Sequence, residues 1–220
     1  MEVKADNIPV RYLFSHHTNR YTQNMPHMHD RVEIFIHISG LTSCFIQNAV
    51  FHVPPRSVIL LDSNEIHQMH LAENEPYERY MLLYQPEYFR SRYPEFEQIC
   101  SLVRGFCQSQ KYIFPLSARQ VHEIGQFYEA YESKGDFCKN MVQEAVFLNA
   151  LTTLLFTLKT DEAPPAARIA PPDAVTQIFK ELDEHYAVPS YDLDTLARNL
   201  NYNKSYLCTV FKQHTGMTIW

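Results

Sequence analysis

No run of apolar residues approaches the length of a membrane span, and the opening Met-Glu-Val-Lys-Ala-Asp-Asn-Ile-Pro-Val has no basic and apolar leader pattern. The 5 cysteines lack any paired or Cys-x-x-Cys spacing. They encode no disulfide framework, and a reducing compartment is the natural reading. Excess positive charge is also missing: 19 Lys and Arg stand against 25 Asp and Glu, a net charge of -6. That excludes a protein binding nucleic acid by charge alone, because phosphate neutralisation supplies most of such affinity. These absences predict a cytoplasmic, globular protein that does not enter membranes. What is present is ordinary for such a protein: 220 residues, 45% of them hydrophobic, enough for one large or two modest domains.

The last thirty residues organise the chain. Asp192 is suited to cap a short helix whose apolar positions Leu193, Leu196, Ala197 and Leu200 recur at helical spacing. Asn201 tolerates the left-handed conformation of a C-terminal cap. Asn203 offers a second N-cap, followed by Leu207, Val210, Phe211 and His214 at spacings of three and four. Two short amphipathic helices joined by a tight turn form the pattern of a helix-turn-helix. With Leu207, Val210 and Phe211 facing a core, Ser205, Cys208, Thr209 and Lys212 face outward, with Lys204 at the helix start. That stripe is where major-groove contacts would lie. The run Leu193 to Thr218, with its Tyr206-Leu207 and Phe211-Lys212 pairs and closing Thr215-Gly216-Met217, closely resembles the first helix-turn-helix of the AraC family of bacterial transcription regulators. The family usually has Gly where this chain has Asn201. It also carries a second helix-turn-helix, so the resemblance implies that a chain ending at Trp220 holds half a reader and binds DNA weakly. The segment's own charge agrees: Lys180, Arg198, Lys204 and Lys212 are set against Asp173, Glu181, Asp183, Glu184, Asp192 and Asp194.

Residues 1 to about 85 read as β structure, with short Val, Ile, Phe and Tyr runs between turn residues. On a strand from Pro26 to Gly40, His27, His29, Arg31, Glu33, Phe35 and His37 share one face, and Val32, Ile34, Ile36 and Ile38 share the other. A polar inner face and a greasy outer one suit a barrel whose lumen holds a ligand and whose outside is covered by helices. His-x-His, Glu33 and Gly40, followed by Pro54-Pro-Arg-Ser-Val-Ile-Leu-Leu-Asp-Ser-Asn-Glu-Ile-His67, resemble the two motifs of the cupin barrel over residues 14 to 85. The second motif has Ser57 and Asn64 where glycines are common. The cupin resemblance implies His27, His29, Glu33 and His67 as ligands of an effector or of a divalent transition metal, Zn, Ni, Fe or Mn. Arg31 is a candidate partner for an anionic group on an effector.

Beyond Pro86 the pattern becomes helical. Short helices break at Pro94, Tyr112 to Pro115 reads as a last strand, and Ser117 to Gln120 fits a capping box opening a helix that ends near Gly135. Phe137 to Lys159 is a helix apolar on more faces than covering one sheet requires. These two helices could simply pack within the chain over the barrel's outside, but regulators that read paired half-sites are usually dimers, and the family resemblance implies that such helices form the interface. Thr160 to Pro172 is a Pro-rich linker by composition.

The fold class expected is β + α: an N-terminal cupin (double-stranded β-helix) sensor over residues 1–115, a helical dimerisation segment over 116–159, a linker over 160–172, and a partial DNA-binding domain over 173–220. The function expected is a ligand-responsive, DNA-binding transcription regulator, a homodimer that senses a small molecule, is not an enzyme and requires no cofactor. The alternative is a metal-dependent cupin enzyme, a dioxygenase or isomerase using His27, His29, Glu33 and His67, which leaves the linker and helix-turn-helix unexplained. A third reading is a dimeric sensor whose terminal helices dock another protein.

Overall fold

The computed structural model describes residues 11–18, 25–72, 75–133, 135–136, 138–160, 168–185 and 187–219. The chain lays down β1 (Tyr12–His17), β2 (Val32–Ser39), β3 (Leu41–Ile46), β4 (Ala49–His52), β5 (Ser57–Leu61), β6 (His67–Leu71) and β7 (Glu78–Tyr84). It continues with α1 (Pro86–Arg90), α2 (Phe96–Gln108), β8 (Ile113–Pro115), α3 (Ala118–Tyr131), α4 (Lys139–Thr160), β9 (Arg168–Ile169), α5 (Asp173–His185), α6 (Leu193–Leu200) and α7 (Lys204–Thr215). One sheet has the order β1-β7-β2-β5-β8 and the other β6-β3-β4-β9, with antiparallel pairing throughout.

The expected alternation of β2 is present. Phe35 lies opposite Ile59 and Met81, and Glu33 opposite Leu61 and Leu83, on the inner face. Ile34 and Ile36 pair with Leu60, Leu82, Val58 and Tyr80 on the outer face, under the helices. There Tyr84 and Phe89 pack on Phe147 of α4, the Phe89 and Phe147 rings stacked with centroids 5.7 Å apart. Such aromatic pairs add about 0.5–1.5 kcal/mol each beyond the area they bury. Because both faces of β2 are covered, Val32 through His37 are all buried.

Several expectations are corrected. The strand spans Val32–Ser39 and does not begin at Pro26; His27 instead forms an isolated bridge to His67, and the intervening segment is tied by the Asn64 amide donating to the His29 carbonyl at 2.7 Å. α3 ends at Tyr131, short of Gly135. α4 overturns the reading that no run is long enough to span a membrane. By length and composition its 22 residues would suffice, with a mean hydropathy of 1.4, and 33% of its most apolar 18-residue stretch is buried. In the sequence, scattered Thr, Asn and Gln interrupt the apolar run of this helix. Thr152, Thr157 and Thr160 return their hydroxyls to helix carbonyls. Within the expected linker, Arg168 and Ile169 pair with Phe51 and Val50 as an added edge strand; residues 161–167 lie outside the described residues.

The C-terminal helices have their own apolar cluster of Val175, Ile178, Leu196, Ala197, Leu207 and Phe211. Asp192 caps α6 through the Thr195 amide at 2.8 Å, Asn201 closes it at φ 57, and Asn203 caps α7 through the Tyr206 amide at 2.7 Å. The capping box at Ser117 is also formed.

Candidate functional site

Three imidazoles and a carboxylate meet at one end of the barrel. Glu33 comes from the start of β2, His67 from the start of β6, and His27 and His29 from the segment leading into β2. The bridge between His27 and His67, with backbone hydrogen bonds of 3.1 and 2.9 Å, holds that segment across the sheet edge. Each imidazole is fixed in the same way. Nδ1 of His27, His29 and His67 lies 3.2, 3.1 and 2.9 Å from the backbone carbonyls of Met25, Arg31 and Glu65. A carbonyl oxygen only accepts, so each Nδ1 carries the proton and each Nε2 is left with its lone pair.

Those Nε2 atoms converge. His29 Nε2 is 3.0 Å and His67 Nε2 3.4 Å from Glu33 Oε2, and ligand atoms of the three histidines lie within 4.8 Å of one another. Glu33 and His67 are buried, and His67 Nε2 has no hydrogen-bond partner. Glu33 Oε2 and the Nε2 atoms of His29 and His67 are acceptors at close range, an arrangement that a positive charge, either a proton or a metal ion, would stabilise. Of the three imidazoles, His29 is the one whose charged form its neighbours favour. Burial opposes its charge, but the hydrogen bond and field of Glu33 outweigh burial and raise its pKa. Burial likewise opposes the Glu33 carboxylate, yet His29 and His67 hold it down to about 2. The His27 pKa is lowered by burial and by its neighbour His67.

The donor set also fits a divalent transition metal. Imidazole nitrogens and a carboxylate suit Zn, Ni, Fe or Mn, and backbone carbonyls anchoring the far ring nitrogens are the usual outer support of metal-binding histidines. Arg31 is buried, with Nε 3.9 Å from Asp30 Oδ1, and its backbone carbonyl orients His29.

A cavity of about 420 Å³ is lined by Ile46, Ala49, Phe51, Glu65, Arg104 and Tyr112 among others, and by none of the four cluster residues. Its apolar floor is the inner face of β3 and β4, and its volume falls within the range of small-molecule sites. Tyr112 donates to Glu65 Oε1 at 2.8 Å, and the Asp62 amide donates to Glu65 Oε2 at 2.8 Å. Burial raises the Glu65 pKa. Sequence patterning missed this cavity because Arg104 and Tyr112 are far in sequence from the motifs they approach.

On α7, Lys204, Ser205, Thr209 and Lys212 are exposed and Cys208 is partly buried. Lys204 Nζ is paired with Asp194 at 2.8 Å, which lowers the charge this surface offers to phosphate. A second cluster, Glu181, Glu184 and His185, also has metal-like spacing. Glu181 accepts there from Tyr191 at 2.6 Å and Asn199 at 3.0 Å, and so fastens α5 to α6.

Residues 7–108 match the family model described as the AraC-like ligand binding domain. No curated protein matches the sequence. Among solved structures the chain is similar to the AraC-like transcriptional activator CuxR, with 11% identity and a TM-score of 0.37, covering 84% of this chain and 61% of that one. It is also similar to apo ToxT from Vibrio cholerae strain SCE256, with 13% identity and a TM-score of 0.43 over 98% and 97% of the two chains. Unsaturated fatty acid bound wild-type ToxT from the same strain gives 12% identity and a TM-score of 0.36 over 99% and 95%. This chain therefore spans less than two thirds of CuxR. The family match is the finding that bears on the sensor: residues 7–108, slightly under half of the chain, are similar to the AraC-like ligand binding domain.

Proposed function

We propose that this chain is a ligand-responsive, DNA-binding transcription regulator. Residues 1–115 act as the effector sensor, 116–159 as the dimerisation segment, 160–172 as the connection and 173–220 as the reader, with α6 and α7 as its helix-turn-helix. One observation carries the reading: an AraC-like ligand-binding domain shares the chain with a capped helix pair whose second helix keeps a polar stripe exposed. Lys204, Ser205, Cys208, Thr209 and Lys212 are the DNA contacts. None is an Arg, the residue best suited to bidentate recognition of guanine, so discrimination by this helix is modest.

The effector is a small molecule entering through the cavity beside Glu65 and Tyr112 and reaching toward the imidazole cluster. It acts by binding one arrangement of sensor and reader more tightly than the other. Selection of bound duplexes from a random pool tests the DNA reading. The chain should enrich a defined sequence, and Thr209→Ala should change the preferred bases without changing thermal stability. No enrichment by the wild-type chain would defeat the proposal.

The converged Nε2 atoms support a second reading of the lumen, in which His27, His29, His67 and Glu33 hold a divalent transition metal. The metal would supply a positive charge and open coordination positions for an effector. Competition of Zn(II) against a chromophoric chelator should show one site per chain, weakened at least about 100-fold by His29→Ala. Equal affinity in the two proteins would remove the metal from the lumen. The dioxygenase or isomerase alternative uses the same four residues and would require turnover that His29→Ala abolishes.

A further inference from the structure

One strand serves both the imidazole cluster and the C-terminal helices. Side chains alternate along β6: His67 points into the cluster and Met69 pairs with Cys44 in the barrel core, so Gln68 and His70 project from the opposite face. On that outer face Phe45 and Val50 are also buried, and the last turn of α7 packs against it beside β4. Gln68 is 3% exposed, and a Cβ added to Gly216 would lie 2.5 Å from its Oε1. Gly216 is thus required twice, once by its φ of +75 as the cap of α7 and once by the close approach of Gln68. His70, held by Ser43 Oγ at 3.0 Å, turns its ring toward the backbone of Thr215, near His214. Thr215 is fully buried. β9 pairs with β4 just before α5, so the chain enters its C-terminal helices from the edge of the same sheet.

This contact leaves Ser205, Thr209 and Lys212 exposed, so it does not hide the DNA-facing stripe. What it fixes is the direction in which that stripe points relative to the barrel. In a dimer reading two half-sites, that direction determines which half-site spacing fits.

We propose that β6 couples the two sites, with Gln68 as the positioning residue that reports the state of His67 to the end of α7. A ligand that draws His67 inward shifts a strand whose next residue abuts Gly216, and so changes how firmly the reader is held. The inference rests on the imidazole cluster being the sensing site.

Hydrogen exchange on the full chain, read at residues 211–219 with and without Zn(II), tests it; amides of β2 and β7 report whether the barrel remains folded. Gln68→Ala should speed exchange at 211–219 at least about tenfold, and should change Zn(II) affinity by no more than the factor by which Zn(II) alters exchange there in the wild-type chain. Zn(II) should alter exchange there in the wild-type chain and not in Gln68→Ala. Wild-type exchange rates in Gln68→Ala would overturn the contact, and stoichiometric Zn(II) binding with no change at 211–219 would overturn the coupling. Should Zn(II) not bind, the metal reading fails by itself and His67→Asn carries the test. Altered exchange at 211–219 in that variant, with β2 and β7 unchanged, supports the coupling, and unaltered exchange overturns it.

Discussion

Both ring nitrogens of His37 are buried without a hydrogen-bond partner on the inner face of β2, and burial pushes the imidazole pKa down from 6.5 to about 4. In the unfolded chain the ring takes its proton near 6.5, but the folded chain refuses it until about 4. Between those values the unfolded state binds more protons, so stability falls as pH drops through the window. An unsatisfied buried polar group costs about 1–3 kcal/mol even when neutral. His37→Phe should therefore stabilise the protein by about 1–3 kcal/mol, with the gain growing from pH 7 toward pH 4. Urea melts at pH 4.5, 5.5 and 7 check this, and a variant tracking the wild type at every pH would refute it. His37 contrasts with His27, His29 and His67, whose Nδ1 protons all reach carbonyls. The motif spacing singles out those three with Glu33, whereas nothing in the sequence marks His37 as unpartnered, because its surroundings come from Ser57 and Arg79 on other strands.

Among the elements, α7 depends most on a small core. Phe211 is 3% exposed and packs on Phe179 with ring centroids 5.3 Å apart. Phe211→Ala should cost about 3–5 kcal/mol and unfold the C-terminal helices while the barrel stays folded. Two-dimensional NMR would show loss of dispersion confined to residues 173–219; a variant retaining all of those signals would contradict the packing described. The ends of these helices were legible because capping is local: Asp192, Asn201 and Asn203 act within three residues of themselves, as does Ser117 in α3. The alternation of β2 was legible for the same reason, since a period of two follows from the strand itself. What depends on distant partners was not legible. Arg168 and Ile169 have no strand signature and become β9 only because β4 offers a free edge. The closeness of Gln68 to Gly216 joins positions that no local pattern connects. The start of β2 was misjudged where the His27–His67 bridge and the Asn64 amide, rather than propensity, set the path.

At the scale of the molecule, the proposed dimer would have its interface on α4, whose two faces differ. One face buries Phe147, Leu151, Leu154, Leu155 and Leu158. Elsewhere on the helix Met141 is 72% and Phe156 67% exposed, with Val142 also exposed. Single exposed apolar residues are unremarkable, but these lie on a helix whose overall hydropathy is that of a buried element. A second copy of α4 is the simplest cover, and a two-fold axis would use each exposed side chain twice. Burying Phe156 contributes about 1.5–3 kcal/mol per copy, so the pair accounts for roughly 3–6 kcal/mol of association. Phe156→Glu should then weaken a dimer at least about 100-fold, leaving the 25.8 kDa chain a monomer at micromolar concentration by native mass spectrometry, with melting of the barrel unchanged. A wild-type chain already monomeric at that concentration would remove α4 as an interface. Flotation of the wild type with lipid vesicles, abolished by the same substitution, would assign its exposed face to a membrane surface instead.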